Sequence, residues 1–291
     1  MRYPARNVSP RSLSARLVAL AAVLLAGVAV AQNAQPVDPV GADNGMVRFL
    51  NLAPNATPVT LALSNDDGAV VALTEFESLA YGAQTAYIPV PAGGYDMTIT
   101  VGDSSTQLPA GYTAPYVVSA PNRLDVGDGG YYTVAVLGLL VPENFDDTSD
   151  DGFLGWLRDL FGGDTPADRD ALALRVEVLD DDVYADFGAD EARVRVVHAA
   201  PGAAAVDLVS TSDRGVVASG IAFDEVSGYH TLATGELGLT LRGADSDVEL
   251  ADLSSHMLEP GRNHTVFLIG TPFEGVPLEA LVLSDAPVAA P

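Results

Sequence analysis

Val47-Arg48-Phe49-Leu50-Asn51-Leu52-Ala53-Pro54-Asn55-Ala56-Thr57-Pro58-Val59-Thr60-Leu61 returns 147 residues later. The second copy reads Val194-Arg195-Val196-Val197-His198-Ala199-Ala200-Pro201-Gly202-Ala203-Ala204-Ala205-Val206-Asp207-Leu208. Seven of the 15 positions are identical without a gap. Self-similarity of this kind identifies one structural unit used twice. The echo continues downstream. Residues 87–99 match 229–241, including Gly93 against Gly235, and Tyr132-Thr133-Val134 with Gly138 match His264-Thr265-Val266 with Gly270. A closing segment, residues 172–179 followed by Asp180 and Asp181, resembles residues 278–283 followed by Ser284 and Asp285.

Each copy has the texture of an all-β unit. Val59-Thr60-Leu61-Ala62-Leu63-Ser64 alternates apolar with small or polar residues and runs into Asn65-Asp66-Asp67-Gly68, a turn signal. Tyr95, Met97, Ile99 and Val101 fall on one face of a period-2 segment, which predicts a half-buried strand. The expected architecture is two tandem immunoglobulin-like β-sandwich modules of about eight strands each. Module 1 is assigned to residues 46–182 and module 2 to residues 193–285, with linkers at 32–45 and 183–192 and a tail at 286–291.

The N-terminus reads as an export signal. Arg2, Arg6, Arg11 and Arg16 precede a run, residues 17–31, that is apolar or glycine and ends Ala29-Val30-Ala31. This predicts cleavage before Gln32, because the run is shorter than the roughly 20 residues a bilayer span needs. Cysteine is absent, so an exported chain must hold together by core burial alone. Four of the 14 basic residues leave with residues 1–31, so ten remain against 39 acidic residues, a net charge of −29. All the basic residues are arginine. Such a surface repels nucleic acid and anionic lipid and attracts divalent cations or basic partners. A coding bias or salt adaptation is the plainer source of the acidity.

Module 1 carries an insertion at residues 142–171 with no counterpart in module 2. Phe153, Leu154, Trp156, Leu157, Leu160 and Phe161 have the spacing of an amphipathic helix over residues 153–161, capped by Asp150 or Asp151 and ended by Gly162. Its apolar face is expected to cover a sheet edge or the seam between modules. Alternatively, Phe153, Trp156, Leu157, Leu160 and Phe161 anchor a protein partner. Asp147, Ser149 and Asp151 followed by Gly152 have the spacing of the first half of a calcium loop, but Arg158 stands where the bidentate acid belongs. The insertion is therefore not an EF-hand, and a looser calcium site there, with help from residues 180–182, competes with a solvated acidic loop.

The two copies of the repeat resemble the opening of a secreted bacterial family known as domain of unknown function 4397. The resemblance covers residues 46–285 apart from the insertion. The second copy fits well, whereas the first has Asn51 and Thr60 where His and Asp would stand. The resemblance implies an immunoglobulin-like or related β-sandwich in the cell envelope or outside the cell, and implies no activity. His198 and Asp207 are its family-typical polar residues. Strand alternation sets them on opposite faces, so a histidine bonding backbone near the Ala-Pro turn is favoured over a His–Asp pair.

Gly-x-Ser-x-Gly elbows, phosphate-binding glycine loops, zinc-type histidine spacing and cysteine nucleophiles are absent from the sequence. The expectation is a non-enzymatic envelope or extracellular scaffold without a resident cofactor, with an extracellular protein or glycan as partner. The rival is a carbohydrate- or peptide-binding protein using sandwich loops, for which Tyr112, Tyr116, Tyr131 and Tyr132 are the aromatics of interest. A hydrolase ranks last.

Overall fold

A computed structural model describes residues 29–30, 43–71, 76–109, 111–140, 169–184, 188, 190–211, 214–234, 238–246, 248–272 and 276–286. After β1 (Ala29–Val30), module 1 contributes β2 (Asn44–Asn51), β3 (Val59–Asn65), β4 (Val70–Val71), β5 (Ile88–Pro91), β6 (Gly93–Val101), β7 (Tyr116–Val126), β8 (Tyr131–Leu137), helix α1 (Arg169–Leu172) and β9 (Arg175–Asp180). Module 2 contributes β10 (Glu191–His198), β11 (Val206–Ser210), β12 (Val216–Ile221), β13 (His230–Ala233), β14 (Leu239–Gly243), β15 (Glu249–Asp252), β16 (Asn263–Ile269) and β17 (Glu279–Asp285).

Both modules are two-sheet sandwiches of one topology. The orders are β5-β2-β8-β9 over β4-β3-β6-β7 in module 1, and β13-β10-β16-β17 over β12-β11-β14-β15 in module 2, with β1 added beside β17. Each contains one long parallel pair: β2 with β8, setting Val47 opposite Tyr132, and β10 with β16, setting Val194 opposite His264. Inward residues of β3 and β6 (Leu61, Leu63, Met97, Ile99) meet Val47, Phe49, Val134 and Val136 in the first core. Val206, Leu208 and Leu241 meet Val194, Val196, Val266 and Val282 in the second.

The central strands do not alternate, for a reason visible only in the assembled molecule. β2, β8, β10 and β16 are buried along nearly their whole length. One face of each feeds its own sandwich, and the other faces the opposite module. Leu50, Leu52, Ala135 and Leu137 pack there with Val197, Ala199, Phe267, Ile269, Leu281 and Leu283. The molecule is thus four sheets deep, with a third apolar layer between the modules. Strands buried on both faces read as continuous apolar runs.

The segment expected to link the modules is partly built into them. Val183 is buried with Met46, Tyr87 and Tyr131, and β10 begins at Glu191. β2 likewise starts at Asn44, inside the expected first linker. Polar sequence hid these strand starts, because Glu191 and Asn44 join the ladders through backbone rather than side chain. The repeated glycines have a steric role. Gly138 and Gly270 hold φ of 92° and 95°. A Cβ there would lie 2.4 Å from the Ala173 carbonyl oxygen and 2.1 Å from that of Pro277.

Candidate functional site at the seam between the modules

The strand that opens each repeat puts an arginine on the face turned away from its own core. Arg48 donates through Nε to Thr133 Oγ1 at 2.7 Å, and through both Nη atoms to the carboxylate of Asp285 in module 2, at 2.7 Å each. Arg195 makes the mirror arrangement: Nε to Thr265 Oγ1 at 3.0 Å, and Nη2 to Asp181 of module 1. Arg48 lies over the Tyr87 ring at 4.5 Å and Arg195 over the Tyr229 ring at 4.7 Å. Each member of one set is the repeat equivalent of a member of the other. The contact is therefore self-complementary, like the interface of a two-fold dimer.

All four charged side chains are almost fully buried. Asp181 is the more heavily engaged carboxylate. Its Oδ2 accepts the Tyr87 hydroxyl at 2.7 Å and the Thr133 hydroxyl at 2.5 Å, with Arg48 at 3.7 Å. Burial opposes the charge of Arg48, but Tyr87, Asp285 and Asp181 more than offset it and hold the guanidinium above its ordinary value. Burial pushes the Tyr229 phenol up to about 12, with Arg195 acting against it. Buried ion pairs add little net stability over a packed apolar contact. They do penalise every arrangement that leaves one charge alone, so they fix register.

Two further pairs, more open to solvent, flank the buried ones. Arg193 pairs with Asp182 at 2.8 Å, and Arg175 pairs with Asp224 at 2.6 Å while lying 5.2 Å over the Phe223 ring. Of the residues expected as helpers of a calcium site, Asp181 and Asp182 pair with Arg195 and Arg193 through their carboxylates, and Asp180 accepts from Arg195 through its backbone carbonyl. Among the described residues, no group of three His, Cys, Asp or Glu could hold a metal ion.

His198 and Asp207 are not brought together. His198 is fully buried, its Nε2 3.0 Å from the Ala204 carbonyl oxygen and its Nδ1 accepting from the Ala200 amide at 3.3 Å. This fixes the neutral Nε2–H tautomer, and burial pushes the ring down to about 4. Asn51 does the same work in module 1: its amide nitrogen donates to the Ala56 carbonyl at 3.1 Å and its Oδ1 accepts from the Ala53 amide at 3.1 Å. Asp207 accepts the Gly220 amide at 2.8 Å, and Thr60 accepts the equivalent Ser78 amide at 3.0 Å. The two departures of the first copy are thus independent replacements that keep the amide-accepting hydrogen bond, while the carbonyl that Asn51 reaches, Ala56, lies one repeat position before the one His198 reaches.

The four tyrosines form no single cluster. Tyr112 and Tyr116 pack edge to face at 4.8 Å where β7 begins, whereas Tyr131 packs on Tyr87 and Tyr184 beyond its other end, and the Tyr132 hydroxyl accepts the Gly127 amide. Asp147, Ser149, Asp151, Phe153, Trp156, Leu157, Leu160 and Phe161 lie outside the described residues. Sequence reading missed Arg48 and Arg195, although a signal was present. Both are charges inside an apolar run, both recur at the same repeat position, and the closing strands repeat an aspartate.

Fold and seam together define a two-module β-sandwich protein whose halves are locked by exchanged ion pairs. The sequence matches the family described as Domain of unknown function (DUF4397) over residues 45–150 and 192–291, and the chain belongs to that family. No curated protein matches it. Among solved structures, a candidate cell adhesion protein from Parabacteroides distasonis ATCC 8503 aligns over 86% of this chain and 99% of its own, at 8% identity and a TM-score of 0.21. A likeness that slight carries no argument about fold or role.

Proposed function

We propose that the protein is a non-enzymatic, exported scaffold of the cell envelope or extracellular space, built to present two sandwiches as one rigid body. One observation carries this reading. Of the ten arginines beyond residue 31, four (Arg48, Arg175, Arg193 and Arg195) pair with a carboxylate of the other module. In a chain this acidic, using scarce cations to join the halves favours fixed geometry over hinged capture. Catalysis usually draws on a concave site with convergent, perturbed groups, and the most perturbed groups here are locked in the seam. Supporting an external location is the basic-then-apolar N-terminus. Among the described residues, no helix is long and apolar enough to cross a membrane.

The test is fractionation of a bacterium expressing the full chain, with N-terminal sequencing of the product and crosslinked pull-down from the envelope. The expected product begins at Gln32 and is recovered outside the cytoplasm with envelope or extracellular partners. Cytoplasmic retention with residues 1–31 intact overturns the proposal.

A further inference from the structure

The two modules protect equivalent sheet edges differently. Among the described residues, β5 ends its sheet against β2, and β13 ends its sheet against β10. In module 1 the Met46 amide donates to Gly130, and Asn44 accepts from Gly129. The residues opposite Met46 and Asn44 therefore turn their own peptide groups outward. Those residues are Pro89 and Pro91, which have no N–H to offer. In module 2 the Arg193 amide donates to Arg262 and Glu191 accepts from Gly261, so Thr231 and Ala233 are the outward positions. Both keep their N–H groups and both are exposed.

The usual defences of an edge are proline, bulges and charged side chains. β7 contains Pro121 and a register shift, and β12 and β15 pair through shifted registers. β13 reads His-Thr-Leu-Ala in unbroken register, without a formal charge. Its four residues would hold a partner only briefly on their own, but they run beside a groove. Two adjoining clefts of about 730 Å³ and 480 Å³ share Val216, Val217 and His230 and extend between β12 and β13. Val216 is 57% exposed there. Side chains at Gly220 or Gly228 would meet open space. Where module 1 fills the space between its sheet edges with Phe76, packed on Phe49 at 5.9 Å, module 2 has Ala218 and Val196.

The geometry points to β13 as an acceptor edge for an extended basic peptide, added as a strand with apolar side chains in the groove and basic ones outside. Main-chain hydrogen bonds to Thr231 and Ala233 supply the affinity, and alternate side chains supply the selection. The charge of the chain selects the occupant. With ten basic against 39 acidic residues beyond residue 31, a second copy is repelled and a basic segment is drawn in. The inference is independent of the scaffold reading, since it rests on the edge and not on the seam or the location.

The test uses the full chain without residues 1–31 and a blocked heptapeptide of alternating valine and lysine, followed by anisotropy and by amide hydrogen exchange. Saturable binding with slowed exchange at Thr231 and Ala233 is expected. The Thr231→Pro/Ala233→Pro variant, which copies module 1, should weaken binding by about tenfold or more. The valine–glutamate peptide should not bind measurably. Equal binding of the two peptides, unchanged affinity in the proline variant, or self-association that the proline variant abolishes would each overturn the inference. Should the variant fail to fold, the exchange pattern of the unaltered protein decides: no protection at Thr231 and Ala233 means no added strand.

Discussion

Module 1 and module 2 share strand order, parallel pair, paired glycines and seam arginine, yet they solve the same local problems with different side chains. Asn51 stands for His198, Thr60 for Asp207, Tyr132 for His264, and Pro89 for Thr231. In the first two cases the hydrogen bond accepted from a backbone amide survives the exchange. The backbone sets a demand, one acceptor here and one donor there, and several residue types can meet it. What the substitutions change is the response to pH and to partners, because histidine titrates where asparagine does not and proline closes an edge that threonine leaves open.

The largest expected effect tests the part the modules share. Replacing Arg48 or Arg195 with methionine leaves Asp285 or Asp181 buried without its main partner and should cost about 3–5 kcal/mol in urea unfolding. Asp181 keeps the Tyr87 and Thr133 hydroxyls and Arg48 at 3.7 Å when Arg195 is replaced, so the Arg48 change, which strips Asp285, should be the larger of the two losses. The Arg48→Met/Asp285→Leu double variant should recover much of the loss, since an apolar pair can occupy the site. A loss below about 1 kcal/mol for either single change would mean the seam is not closed in solution.

The next effect separates the modules. His198 is held down to about 4 by burial, and His264 is also held to about 4 by burial and by His256 beside it, 3.3 Å away. The charge of Glu225 acts on the first ring, and the Glu259 backbone carbonyl and the Arg262 charge act on the second. An unfolded histidine takes its proton near pH 6.5, whereas these folded rings do so only near 4. The folded state therefore binds fewer protons across that window, and its stability, full above 6.5, is lost as pH falls towards 4. Carboxyls pushed up by burial, Glu177 and Asp180 in module 1 and Glu279 in module 2, work in the opposite sense. His198→Asn should keep the fold at pH 7 and remove on the order of 2 kcal/mol of acid sensitivity at pH 5. Residue-resolved hydrogen exchange should show module 2 loosening first. Acid loosening that starts in module 1 would refute this assignment.

The smallest effect is the most direct check on equivalence. Asp207→Thr and Thr60→Asp exchange one acceptor for another at a partly exposed strand position, and each should shift stability by less than about 0.5 kcal/mol. Alanine at either site removes the acceptor and should cost more. If the threonine and alanine variants lose equal stability at position 207, the carboxylate is doing something other than receiving the Gly220 amide.

By itself the sequence determined that the molecule is all-β, that one unit occurs twice, and which faces of β3 and β6 are buried, because period-2 alternation and a 15-residue repeat are local patterns. It also set His198 and Asp207 on opposite faces of their strands. It did not yield the seam. β2, β8, β10 and β16 are buried on both faces, and the second face is defined by a partner module more than a hundred residues away. An arginine inside an apolar strand is ambiguous until its carboxylate is located, and Asp285 lies 237 positions from Arg48. The openness of β13 is likewise a property of neighbours, since only the ladder shows that Thr231 and Ala233, like Pro89 and Pro91, turn outward. Local patterning fixes which side chains must be buried. Only the packing of the two modules decides against what they are buried.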